Sequence, residues 1–133
     1  DFRSALLATQ PKEWQEKQNQ DLVDALDTYG FGLYTLGKIE ESVHVFEEAV
    51  ELDQRKNKII HESYCRVLYE TGRIDKAFTE LELSVKDDPW NKELQTLFEE
   101  VYIRQMGNTD GLESFFIEAH NTQRTKMEEE IQR

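Results

Sequence analysis

Three glycines, Gly37, Gly72 and Gly107, stand 35 residues apart, twice in succession. Each closes an amphipathic stretch and opens a short polar turn before a second such stretch. The first two contexts are near copies, Tyr34-Thr35-Leu36-Gly37-Lys38-Ile39 and Tyr69-Glu70-Thr71-Gly72-Arg73-Ile74; the third reads Arg104-Gln105-Met106-Gly107-Asn108-Thr109. Glycine just past the last periodic residue stops a helix because it takes the left-handed conformation without a Cβ clash. An Asp or Asn soon afterwards is expected to cap the next helix. The spacing therefore predicts a unit of two helices and a tight turn, repeated about three times. Only 6 Gly and 2 Pro occur in 133 residues, too few for a sheet protein that turns every 8–12 residues or so.

The apolar pattern inside each unit has helical period. Leu26, Tyr29, Gly30 and Leu33 share one face before Gly37, and Val43, Phe46, Ala49 and Val50 share one after it. Tyr64, Cys65 and Leu68 precede Gly72; Ala77, Leu81, Ser84 and Val85 follow. Around Gly107 the residues are Leu94, Leu97, Phe98, Val101 and Tyr102, then Leu112, Phe116 and Ala119. The small members Gly30, Ala49, Cys65, Ala77 and Ala119 are predicted to be buried, since small residues let helix backbones approach while large ones fill the opposing hole.

These units resemble the tetratricopeptide repeat, whose pattern is large-x2-large-small-x2-aromatic, then small-x3-aromatic-x2-Ala, then Pro. The first copy reads Leu26-x2-Tyr29-Gly30-x2-Leu33 and Ser42-x3-Phe46-x2-Ala49, with Gln54 in the place of Pro. The second reads His61-x2-Tyr64-Cys65-x2-Leu68 and Ala77-x3-Leu81-x2-Ser84, with Pro89 in place. The third keeps Leu112-x3-Phe116-x2-Ala119 but has Thr96 and Glu100 where large and small residues belong, so it is degenerate or shifted in register. The resemblance implies an all-α solenoid, an α-α superhelix of antiparallel helix pairs over 22–54, 58–89 and 92–120, with a flanking helix in 1–21 and a capping helix or link in 121–133. The 35-residue spacing also raises the RNA-reading pentatricopeptide repeat, which the acidic charge and the repeat ends Ala49–Asp53 and Asp87-Asp88-Pro89 argue against.

At the N-terminus a short helix is expected over 1–10. A face of Trp14, Gln18, Leu22, Leu26, Tyr29 and Leu33 then predicts one helix over about 12–36, or two broken near Asn19. At the other end the stripe Leu112, Phe116, Ala119, Gln123, Met127, Ile131 thins beside the solvated run Glu128-Glu129-Glu130. Tyr102 to Arg133 is similar to the helical region that precedes the catalytic domain in some bacterial thioredoxin-fold thiol-disulfide reductases. That resemblance implies an accessory domain whose catalytic part lies outside this sequence, for no Cys-x-x-Cys is present in it. The chain begins at Asp1 and not Met, which reads as a processed or trimmed piece.

Composition narrows the function. The net charge of −12 opposes a phosphate-binding surface, so nucleic acid is not expected as a partner. No apolar run approaches a membrane span, so no membrane insertion is expected. One cysteine, Cys65, excludes an internal disulfide; it sits at a small packing position and reads as a core residue. His44, His61 and His120 lack metal-ligand spacing, and no Gly-x-Ser-x-Gly or phosphate loop occurs. Catalysis, a metal site and a cofactor are therefore not expected. What remains is a surface. By repeat position the first helices should present Asp24, Asp27, Phe31 and Tyr34, then Glu62, Arg66 and Tyr69, and in the third copy Leu94, Leu97 and Val101, to a concave groove. Aromatics flanked by carboxylates suit a peptide with basic and apolar side chains. The positions at which some tetratricopeptide proteins clamp a C-terminal carboxylate with Lys and Asn hold Asp27, Phe31, Ser63, Leu94 and Phe98, which argues against that clamp. The expected partner is a protein or peptide, or the chain's own missing C-terminal domain. Self-association is a third reading, and the compartment is left as cytoplasm or bacterial periplasm.

Overall fold

The computed structural model describes residues 2, 4, 5, 11–54 and 56–132. Among them there are six helices and no strand: α1 Lys12–Thr35, α2 Ile39–Leu52, α3 Lys58–Glu70, α4 Ile74–Asp87, α5 Lys92–Met106 and α6 Leu112–Gln132. The short helix expected over 1–10 falls mostly outside the described residues. No helix among the described residues is long and apolar enough to cross a membrane. The alternative break near Asn19 does not occur, and α1 runs through it.

The glycines stop the helices as their spacing predicts, with φ of 82°, 80° and 83° at Gly37, Gly72 and Gly107. The first two turns share one hydrogen-bond pattern. Gly37 N–H bonds the Tyr34 carbonyl at 3.0 Å and Lys38 N–H the Leu33 carbonyl at 2.9 Å; Gly72 and Arg73 repeat this on Tyr69 and Leu68 at 3.1 and 2.9 Å. These paired bonds satisfy carbonyls that the helix end would otherwise leave open. The third turn differs: Gly107 N–H makes a single bond back to Ile103 at 2.7 Å.

The expected Asp or Asn cap is absent at two starts. Lys38 and Arg73 open α2 and α4 without a side-chain cap. The two-bond turn is so tight that the residue after glycine already starts the next helix, leaving no position for a capping side chain. Acidic residues in the first turns, Glu40, Glu41 and Asp75, complement the helix dipole instead. Side-chain caps do occur where the connection is longer. Asn57 Oδ1 accepts from Ile59 and Ile60 N–H at the start of α3, and Asn91 Oδ1 accepts from Leu94 N–H at 3.1 Å before α5.

The chain divides into two compact units, residues 1–60 and 61–133. In the first, α1 packs on α2. Val23, Gly30 and Leu33 meet a face of Ser42, Val43, Phe46, Ala49 and Val50. Gly30 is needed for the approach: a Cβ there would lie 3.0–3.1 Å from the Phe46 ring. Ser42 Oγ donates to the Gly30 carbonyl at 2.9 Å, a buried pin between the helices. Two expectations fail here. Trp14 and Tyr29, placed on the packing face by their period, are 61% and 57% exposed, while Val23 is buried. The covered strip runs Val23, Leu26, Gly30, Leu33, and Tyr29 lies one step of about 100° away from Gly30.

In the second unit α4 packs on both α5 and α6. Phe78, Phe98, Tyr102, Phe115 and Phe116 form a chain of ring contacts, with centroids 5.0–6.1 Å apart. The spacing before Gly107 differs from that before Gly72. Leu94, Leu97, Phe98 and Val101 are buried and keep the 0-3-4-7 spacing of His61, Tyr64, Cys65 and Leu68, but two residues further from their glycine. Thr96 and Glu100 are accordingly exposed. The extra length ends in the one-bond turn at Gly107, a second left-handed glycine at Gly111, and a hydrogen bond from the Tyr102 hydroxyl to the Asp110 carbonyl.

All five small positions, Gly30, Ala49, Cys65, Ala77 and Ala119, are buried as predicted.

Candidate functional site

The seven residues assigned to a groove fall into two groups, one in each unit. Asp24, Asp27, Phe31 and Tyr34 lie on one face of α1, at helical spacing. Asp24 is exposed and accepts a hydrogen bond from Gln20 at 2.9 Å. Asp27 is half-buried, and its Oδ1 is a buried atom without a hydrogen-bond partner. Burial, and then the charge of Asp24, push its carboxyl above the usual aspartate range. Phe31 is exposed on one side and meets Phe46 edge-to-face at 5.1 Å on the other.

The second group sits on α3 and faces α5. Arg66 reaches Glu62 at 3.5 Å. Glu62 is half-buried; burial raises its pKa, and a hydrogen bond shared with the Glu93 carboxyl raises it further, against an opposing effect of Arg66. Two carboxyls in hydrogen-bond contact hold a proton more tightly than either alone. The Arg104 guanidinium lies over the Tyr69 ring, 5.5 Å from its centre. Between α3 and α5 is an open cavity of about 460 Å³ lined by Arg66, Lys92, Glu93, Thr96, Leu97 and Glu100. Of the third-copy residues expected there, Leu97 lines the cavity, whereas Leu94 and Val101 are buried in the core. The two-residue register shift of α5 turned those side chains inward.

Sequence reasoning missed a polar constellation next to this site. His61 Nε2 lies 2.7 Å from Glu80 Oε2, and its Nδ1 lies 2.7 Å from Ser84 Oγ. Ser84 Oγ is 3.8 Å from Cys65 Sγ. All four side chains are buried. The order carboxylate–imidazole–hydroxyl is that of a hydrolytic triad, but the geometry is not. Ser84 is inside a helix, and none of the described cavities is lined by it. A nucleophile needs room for its substrate and donors for the oxyanion. Burial pushes the Cys65 thiol up to about 12, so it is not a nucleophile either. The constellation bolts α3 to α4. Its only sequence signal is that polar residues occupy packing positions: His61 where the first repeat has Leu26, and Ser84 where it has Ala49.

His44 is exposed, and His120 is half-buried with its ring edge-on to Trp90 at 5.4 Å. Among the described residues no three His, Cys, Asp or Glu side chains are placed to hold a metal ion. The sequence matches no model of a known protein family. It also matches none of the curated proteins with which it was compared.

Proposed function

We propose that this chain is a non-catalytic helical-repeat module of the tetratricopeptide kind that binds a peptide segment of a protein partner. The repeated glycine turn and the buried small residues at the same 35-residue spacing support the repeat reading. The observation that carries the binding reading is the α3–α5 cavity. It is open, and its lining includes basic, acidic and apolar groups, among them Arg66, Glu93 and Leu97. Such a lining holds an extended or helical peptide through charge selection at the sides and apolar contact at the floor. The Phe31 face of α1, with Asp24 and Asp27 beside it, is a second contact surface of similar chemistry. Aromatic anchors supply most of the affinity, and the charges mainly set selectivity and on-rate.

A peptide array probed with the whole chain tests this reading. Array peptides that bind should lose most of their binding on Arg66→Ala with Tyr69→Ala, with the helical circular dichroism unchanged. Binding should weaken with salt without vanishing, because the apolar part is not screened. Array binding that ignores this double change and the Phe31→Ala change would overturn the groove assignment.

A further inference from the structure

Helix α1 has two apolar faces, and only one of them is used inside the chain. Val23, Gly30 and Leu33 meet α2. About 100° around the helix lies a second strip, in which Leu22, Tyr29 and Leu36 stand seven residues apart with Ala25 and Gly32 between them. This alternation of three and four residues is the spacing by which one helix packs along another. Tyr29 and Leu36 are 57% and 74% exposed, Ala25 and Gly32 are exposed, and Leu22 is half-buried. Trp14, also exposed, extends the strip toward the start of the helix. On a chain of net charge −12, none of these residues is charged.

Two observations mark the strip as a face built to be covered. Gly30 is explained by the Phe46 ring, but a Cβ on Gly32 would meet nothing within 4 Å, and Gly32 does not have a positive φ. Glycine inside a helix is destabilising relative to alanine, so Gly32 carries a cost with no return inside the chain. Shifting by 35 residues carries Ala25, Tyr29 and Gly32 onto Ile60, Tyr64 and Val67, and all three of those are buried.

The strip is complementary in shape to itself. A two-fold axis midway between Ala25 and Tyr29, with the helices antiparallel, lays Tyr29 of each copy over Ala25 of the other and Leu22 over Gly32. Leu36 then lies over Gln18, between Trp14 and Leu22. Each layer at the centre pairs a large residue with a small one, as close packing requires. Parallel pairing in register would crowd Tyr29 on Tyr29 and leave a void at Gly32. On the flank away from α2 the axis brings Thr28 near Thr28 and Asp21 near Thr35, so no like charges are opposed. We infer that this face of α1 is a docking surface for a second copy of the chain, packed antiparallel about that axis. The contact runs along about 33 Å of helix. An aromatic side chain covers roughly 150–250 Å² when fully buried. The four rings and four leucines of two copies therefore bring the interface to roughly 1,000 Å², the low end for a specific complex. The dimer is accordingly weak and concentration-dependent.

Sedimentation equilibrium of the whole chain at about 0.15 M salt, from about 1 µM to 1 mM, should show a monomer–dimer equilibrium. Gly32→Leu fills the space that Leu22 of the other copy needs and should weaken association by roughly tenfold or more. The same change should not lower the melting temperature of the monomer, because leucine is the better helix former and meets no neighbour within the chain. Adding Leu22→Ala exchanges large and small within that layer and should bring association back to within about threefold of the parent. Spin labels at Thr28→Cys should lie close together in the dimer, whereas labels at Thr35→Cys should be separated by about 24 Å along the helix; Cys65 is buried and stays unlabelled. Close pairs at both positions would mean parallel helices and overturn the pairing. A chain that stays monomeric at the highest concentration overturns the proposal, as does a dimer that ignores Gly32→Leu. Association that appears only once residues 1–10 are removed overturns it in favour of that segment as the cover of the strip.

Discussion

The α1–α2 and α3–α4 pairs are built on one backbone plan and filled with different chemistry. Shifting by 35 residues carries Leu26, Val45 and Ala49 onto His61, Glu80 and Ser84. The first set is apolar; the second is the buried hydrogen-bonded bolt. The same shift carries Tyr29, 57% exposed, onto Tyr64, 1% exposed. The repeated turn fixes the path of the backbone and the places of the small residues. It does not dictate whether a covered position is satisfied by hydrocarbon or by hydrogen bonds, nor which flanks are covered.

The largest effect should come from breaking the bolt on one side. His61→Leu leaves Glu80 and Ser84 without their 2.7 Å partner and should cost about 2–4 kcal/mol, read as a lowered urea midpoint. Transplanting the whole set from the first pair, His61→Leu with Glu80→Val and Ser84→Ala, removes the buried polar groups together. That triple variant should recover most of the loss, since replacing every partner by hydrocarbon is often neutral or stabilising. A triple variant less stable than His61→Leu would mean that the two pairs do not share a packing plan.

In the first pair the corresponding weak point is a volume and not a hydrogen bond. Gly30→Leu forces a side chain into the Phe46 ring and should cost about 1–3 kcal/mol or more by overpacking. An unchanged urea midpoint would overturn the α1–α2 register. Gly30 is also where the sequence is most legible: its small size, its distance from Gly37 and its relation to Cys65 all point to a buried position, as found. Legibility fails where the pattern is read too literally. Tyr29 fits the repeat template and is exposed, because a period of 3.6 admits two adjacent strips and only tertiary cover selects one. Leu94 and Val101 fit both the apolar face and the groove by repeat position; the misfit of Thr96 and Glu100 signals a shift, but only the two-residue lengthening of α5 fixes its size and puts both side chains in the core. Arg66, expected at the groove, lines the α3–α5 cavity, whereas Glu93 and Lys92, which complete it, carry no signal in the repeat pattern. The His61–Glu80 contact spans 19 residues and two helices, and no local rule anticipates it.

The turns offer a smaller contrast. Gly72→Ala puts a Cβ on a residue with φ of 80° and should cost about 1–2 kcal/mol, the usual penalty of the left-handed conformation. Gln54, just after α2, is the one described non-glycine residue with positive φ, 57°. Gln54→Gly relieves that strain and should raise the urea midpoint by up to about 1 kcal/mol of stability. Both changes leave the side-chain packing untouched, so a larger response in either direction would show that these turns do more than reverse the chain.

The smallest effect is electrostatic and separates the two candidate surfaces by their pH dependence. Burial and the Glu93 carboxyl raise the Glu62 pKa above its ordinary 4.5, so the folded chain holds that proton more tightly than the unfolded one. The stabilisation is complete below the unfolded pKa and is lost as pH rises through the higher folded value. Glu62→Gln keeps a neutral side chain at every pH and escapes that loss. The difference in melting temperature, variant minus parent, should therefore increase from about pH 4 to pH 7. The Arg66 pair forms only with the ionised carboxylate, so its loss grows with pH and opposes this rise; burial and Glu93 outweigh it. Asp27→Asn on α1 should change in the same direction, there because of burial and Asp24. Glu93→Gln should shrink the Glu62 difference without abolishing it, because burial is the larger cause, and should leave the Asp27 difference unchanged. A difference that falls with pH at Glu62 would mean that Arg66, not Glu93, governs this carboxyl.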